Sequence, residues 1–166
     1  MMASPDAPVH ASAVTVRGAG ILVRGASGAG KSSLVLSILH AEGDAACLVA
    51  DDRMCLARRG TVVVARPPRE IAGLIEVRGQ GVLRLPYVAE APLALVVDLA
   101  PVEACPRYPE GDERVATILG VVLPRIWLAV GAPDGPARVA FALATRHSGD
   151  SISAGTVLIR STDGPS

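Results

Sequence analysis

Between an apolar run and a second apolar stretch lies Gly25-Ala26-Ser27-Gly28-Ala29-Gly30-Lys31-Ser32, which satisfies G-x-x-x-x-G-K-[ST] at every fixed position. This octapeptide constrains the fold more than any other feature, because it works only between a strand and a helix. Its glycines let the backbone turn tightly and aim successive N–H groups at a triphosphate. The lysine ammonium reaches the β- and γ-phosphates, and the Ser32 hydroxyl is placed for Mg²⁺. The flanks agree: Ala19 to Arg24 reads as a buried strand, and Ser32 to His40 as a helix whose N-terminus faces the phosphates. Ser33 completes the loop. Lys31 is the only lysine in the chain, the other basic residues all being arginines. A compact ammonium suits a phosphate cradle in a way that a planar guanidinium does not. The motif predicts a nucleotide site.

Composition narrows the architecture. At 166 residues the chain is one domain with room for a real core. Half of it is apolar, rich in Val, Ala and Leu, with one Trp, one Phe and two Tyr. Strands covered on both faces fit this better than an aromatic-rich sandwich, so an α/β fold is expected. A formal net charge of zero gives no electrostatic case for nucleic acid. No apolar run approaches the ~20 residues that span a bilayer, and the N-terminus has no secretory pattern. Cys47, Cys55 and Cys105 are odd in number and unpaired in spacing, which predicts free thiols in a reducing, cytoplasmic setting.

In chain order, residues 1–8 are expected to be disordered, 9–146 to form the domain, and 147–166 to be a disordered tail in which only Thr156 to Ile159 could pair briefly. Val9 to Val16 and the strand entering the loop make a hairpin across Arg17-Gly18. Cys47 to Ala50 is a short strand ending in Asp51-Asp52. Carboxylates at that strand end suit Mg²⁺ ligation or proton abstraction; a solvated turn is the plain alternative. Met54 to Ala57 and Thr61 to Ala65 form a second hairpin. Ile71 to Leu83 is either a mobile catalytic loop or a bulged strand. Leu93 to Asp98 is the central strand, and Asp98 competes with Asp51-Asp52 for the metal role. Arg114 to Val122 is a weak helix, Ile126 to Val130 a short strand, and Ala137 to Arg146 a closing helix. Phe141 and Trp127 belong to the core. His40 and His147 carry no role; His10, taken alone, is a surface or satisfied core residue.

The order His10, G-x-S-G-x-G-K-S, Leu48-Val49-Ala50-Asp51-Asp52, then Ile75-Glu76-Val77-Arg78-Gly79-Gln80-Gly81 resembles the catalytic domain of the HPr kinase/phosphorylases. The resemblance runs from about Val9 to Ala144 and is to the short proteobacterial form without the N-terminal domain. It implies a P-loop domain of the HPr kinase and PEP carboxykinase-like type, a mixed β-sheet with flanking helices. It further implies ATP and Mg²⁺ as cofactors and transfer of phosphate to a serine of the phosphocarrier HPr. The reverse, phosphate-dependent reaction would release pyrophosphate. By position, Lys31 and Ser32 serve ATP and Mg²⁺, and Asp52 exchanges the serine proton. Asp51 is a metal or orienting group, Glu76 a metal ligand and Arg78 a phosphate contact. His10 is the active-site histidine. Arg107 falls near a later catalytic arginine, and Arg125 in a dephosphorylation stretch. A homo-oligomer is implied, longer relatives being hexamers. Three departures stand out: Ser33 replaces an acidic residue, Gln80 an apolar one, and Arg125 has no arginine neighbour before Arg138. Kinase activity is therefore favoured over phosphorylase activity. The alternatives are a small-molecule or PEP carboxykinase-like P-loop enzyme using Asp98, and a nucleotide-binding regulatory module without catalysis.

Overall fold

The computed structural model describes residues 6–146. Its strands are β1 (Ala7–Val9), β2 (Ser12–Val16), β3 (Ala19–Arg24), β4 (Ala46–Ala50), β5 (Met54–Arg59), β6 (Val62–Arg66), β7 (Leu74–Val77), β8 (Gly81–Arg84), β9 (Ala91–Ala100), β10 (Val115–Ile118) and β11 (Val121–Ala129). Its helices are α1 (Lys31–Glu42) and α2 (Gly135–Thr145).

β9 is the spine. One edge of it pairs in parallel with β3, while the other meets β6 near its start and β11, in parallel, along its later half. The main sheet runs β1-β5-β6-β9-β3-β2-β4, with β10 and β11 attached beside β9, and β7–β8 forms a separate hairpin. Parallel pairs at the centre and antiparallel pairs outside make this the mixed sheet expected from the sequence.

Alternation divides the apolar residues between two faces. Ile21, Val23, Leu95 and Val97 point towards Leu34, Val35 and Ile38 of α1 and Val139 and Leu143 of α2. Leu22 and Val96 point the other way, onto Leu56, Val63, Ala65, Ile118 and Leu123. That second cluster draws on strands of the same sheet, so the sheet curls over its own face. A register shift in β9 opposite Gly20 and Ile21 leaves Ala94 unopposed, which is why Leu93 and Leu95 fall on opposite faces. Each fully buried Leu or Ile contributes about 1.5–3 kcal/mol by leaving water. Glu90, ahead of β9, accepts both Arg59 guanidinium nitrogens at 2.8 and 2.9 Å, and this bonding holds its carboxyl below the ordinary range.

Several expectations need correction. Ala7–Val9 is a strand on the edge of β5 and not a disordered run; the neighbouring Asp6 carboxylate pairs with Arg66. Arg114 to Val122 is not a helix but the β10–β11 hairpin, turned at Leu119-Gly120 with φ of 48° and 76°. Both central residues of that turn need positive φ, and a leucine there hides the signal. β11 starts five residues before the short strand expected. The closing helix starts at Gly135, two residues ahead of Ala137, with Pro136 inside its first turn. Phe141 is 73% exposed and outside the core, while Trp127 is half-buried. Ile71 to Leu83 resolves as the β7–β8 hairpin, turned through Arg78-Gly79-Gln80. His147 and Thr156 to Ile159 lie outside the described residues. Among the described residues no helix is long and apolar enough to cross a membrane.

Candidate active site

β3 delivers the chain to the phosphate loop at the C-terminal end of the parallel centre, where ligands gather in open α/β sheets. Gly30 closes the loop at φ 88°, a conformation that L side chains avoid, and its carbonyl accepts the Leu34 N–H at 2.9 Å to start α1. The first turn of α1 contains no acidic residue of its own, and its free N–H groups carry the positive end of the helix dipole. Lys31 is 6% exposed and curls back over the loop, donating from Nζ to the Gly25 and Ala26 carbonyls at 3.0 Å each. A third ammonium donor remains for an anion.

The two aspartates face opposite ways. Asp51 is buried, and its Oδ1 accepts the hydroxyls of Ser32 and Ser12, each at 2.7 Å. The Glu76 N–H donates to the other carboxylate oxygen at 3.4 Å. Those bonds offset the cost of burying a carboxylate. Asp52 turns outward, with its Oδ1 2.7 Å from His10 Nε2; the two side chains are about half to two-thirds exposed. The outward turn has a backbone cause. Arg53 N–H donates to the Asp51 carbonyl at 2.8 Å while Asp52 sits at φ 65°, a γ-turn of the rare positive-φ kind. Such conformations cost about 1–3 kcal/mol and cluster at functional sites.

A cleft of about 690 Å³ gathers His10, Ser27 to Ser33, Asp51, Asp52, Glu76 and Arg78 on one surface. The hairpin turn of β7–β8 brings Glu76 and Arg78 to its rim, both exposed. The cleft lining includes hydroxyl and carboxylate oxygens from Ser32, Asp51, Asp52 and Glu76, the hard-ligand chemistry that Mg²⁺ prefers. Among the described residues no three His, Cys, Asp or Glu side chains converge as a metal cluster. A shallower, mostly apolar depression between α1 and α2, with His40 on its wall, lacks any such convergence of groups.

Three sequence candidates lie outside the cleft lining. Arg107 is exposed and packs over the Tyr108 ring at 5.5 Å. Arg125 donates to the Glu113 and Asp112 carbonyls at 3.0 and 2.7 Å and stacks on Trp127 at 4.6 Å. It also approaches Asp98 at 3.4 Å. Asp98 is gripped by both donors of Arg24 at 2.7 Å. Tied between two arginines, Asp98 is unsuited to the metal role that its strand position suggested. Ser12, by contrast, is a site residue that motif spacing missed.

The family profile described as the HPr Serine kinase C-terminal domain matches residues 2–145. The HPr kinase/phosphorylase of Mycoplasma mycoides subsp. mycoides is 30% identical over 142 residues, covering 78% of this chain and 44% of that protein. The Enterococcus faecalis HPr kinase/phosphorylase is 33% identical over 132 residues, covering 74% of this chain and 42% of the relative. The chain thus spans less than half the length of these relatives. The solved Hpr(Ser) kinase/phosphatase from Coxiella burnetii superposes with a TM-score of 0.71 at 23% identity, over 86% of this chain and 96% of that one, and shows the same fold. The chain belongs to the HPr Serine kinase C-terminal domain family.

Proposed function

We propose that the chain is an ATP-dependent protein-serine kinase of the cytoplasm, transferring the γ-phosphoryl group to a serine of the phosphocarrier HPr. One observation carries this reading: a solvent-facing carboxylate, Asp52, shares a cleft with the phosphate loop and is steadied 2.7 Å from a histidine. A phosphoryl transition state spreads charge over its equatorial oxygens, so positioning and electrostatics do most of the work. Lys31 and the N–H groups of the loop hold the phosphates. Ser32, Asp51 and Glu76 are the oxygens that would hold Mg²⁺, which would supply neutralisation of the phosphate charge. Asp52 accepts the hydroxyl proton of the acceptor serine, its openness leaving room for a protein substrate. His10 orients that carboxylate, and Arg78 at the cleft rim contacts the transferring group.

Incubating the protein with γ-labelled ATP and HPr tests the proposal. Label on an HPr serine is expected, and Lys31→Ala should abolish it. Label on a small metabolite, or ATP binding without transfer to HPr, would refute the assignment.

A further inference from the structure

We infer that Ser12 is a positioning residue, fixing which aspartate serves the nucleotide and which serves the acceptor; this rests on the phosphotransferase reading above. Ser12 opens β2, is fully buried, and belongs to none of the motifs. Its hydroxyl is used in both directions. The proton goes to Asp51 Oδ1 at 2.7 Å, and the oxygen accepts the Asp52 N–H at 3.3 Å. A hydroxyl has one proton and two lone pairs, so the polarity of this chain is set. It runs from the Asp52 amide through Ser12 to Asp51, which also receives the Ser32 hydroxyl. One buried oxygen therefore links the backbone of the proton acceptor to the phosphate loop.

The sheet is built to bring Ser12 there. Val14 pairs with Leu48, yet Ala13 pairs with Ala50, so Val49 is unopposed and the register slips by one. Continued from Ala13 and Ala50, that register sets Ser12 across from Asp51. Continued from Val14 and Leu48 without the bulge, it would set Ala11 there, with no hydroxyl to offer. The γ-turn at Asp52 supplies the second half. A backbone held at positive φ persists only where its surroundings over-determine it. Ser12 grips both sides of that turn, the Asp51 carboxylate and the Asp52 amide. Without it, Asp51 loses one of its two short bonds and the turn is free to relax towards negative φ. Asp52 would then leave the position 2.7 Å from His10.

The test uses the full chain and Ser12→Ala, Asp51→Asn and the double variant. Ser12→Ala should lower kcat for HPr phosphorylation about 10- to 100-fold, the usual range for an outer-shell partner. The KM for ATP should stay within about threefold, and the loss should exceed any fall in folded fraction by circular dichroism. In the Asp51→Asn background the same change should cost almost nothing further, as expected for a residue acting through Asp51. Wild-type kcat in Ser12→Ala, a loss that tracks unfolding, or multiplicative losses in the double variant would each overturn the proposal. Hydrogen exchange of the Asp52 amide gives a readout independent of the acceptor. Its protection should be present in the wild type and lost in Ser12→Ala; retained protection overturns the role of Ser12. If the wild type fails to phosphorylate HPr, the kinase reading falls, while the exchange measurement still decides what Ser12 does.

Discussion

Asp52 combines a strained backbone with an exposed carboxylate, and the two properties can be separated by substitution. Asparagine visits the left-handed region more readily than other L residues and keeps an oxygen for His10. Asp52→Asn is therefore expected to hold the γ-turn, with a melting temperature close to that of the wild type. It removes the proposed proton acceptor, so phosphoryl transfer should fall by about 10²–10⁴-fold. A large drop in melting temperature would mean that the carboxylate is structural. At this scale the sequence was informative wherever a residue type is tied to a spacing. Lys31, Ser32, Asp51, Asp52, Glu76 and Arg78 all reach the one cleft, and His10 joins them. Ser12 carried no such signal. A serine at the head of a β-rich run has no signature, and its partnership with Asp51 exists only in the slipped register of β2 and β4.

Elements with regular alternation were readable, and those depending on a turn or a bulge were not. β3 and the middle of β9 follow from continuous apolar runs, as buried parallel strands do. The β10–β11 hairpin was hidden because Leu119 occupies a turn position that usually calls for Asn or Gly. Phe141 looks like a core residue by type, yet the face of α2 that packs inward is the one carrying Val139 and Leu143. The junction of β3 with β9 has its own steric requirement at Gly20, where a Cβ would lie 2.6 Å from the Pro92 carbonyl oxygen. Backbone on both sides cannot yield cheaply. Gly20→Ala is expected to destabilise the protein by about 1–3 kcal/mol, the usual cost of overpacking. Denaturant unfolding should show a lower midpoint with an unchanged slope. An unaltered midpoint would mean that the parallel pair shifts freely, and that the loop-bearing strand is less firmly placed than its packing indicates.

Across the whole molecule, charge ties the centre of the sheet to its periphery. Arg24 on β3 holds Asp98 on β9, and Arg125 on β11 reaches the same carboxylate while pinning the 3-10 turn at Gly111–Arg114 through two of its carbonyls. This arrangement bears on reaction direction. Driving phosphate off a phosphoserine requires cationic groups that stabilise an incoming inorganic phosphate alongside the transferring one. Arg125 is the arginine that the family resemblance offers for this, yet its guanidinium is committed to two carbonyls, a carboxylate and the Trp127 ring. Redirecting it would break its bonds to those two carbonyls and its stacking on Trp127, while the Glu113 carbonyl keeps the Trp127 indole N–H and Asp98 keeps Arg24. We therefore expect serine-phosphorylated HPr and inorganic phosphate to release pyrophosphate at least about tenfold more slowly than the forward kinase rate. Following pyrophosphate and ADP release side by side at matched HPr concentration measures this ratio. Comparable rates would show that Arg125, or another cation, is recruited to the cleft when phosphate binds. A slow reverse rate that Arg125→Met leaves unchanged, together with a lower unfolding midpoint in that variant, would place Arg125 in the scaffold of the sheet and outside the chemistry.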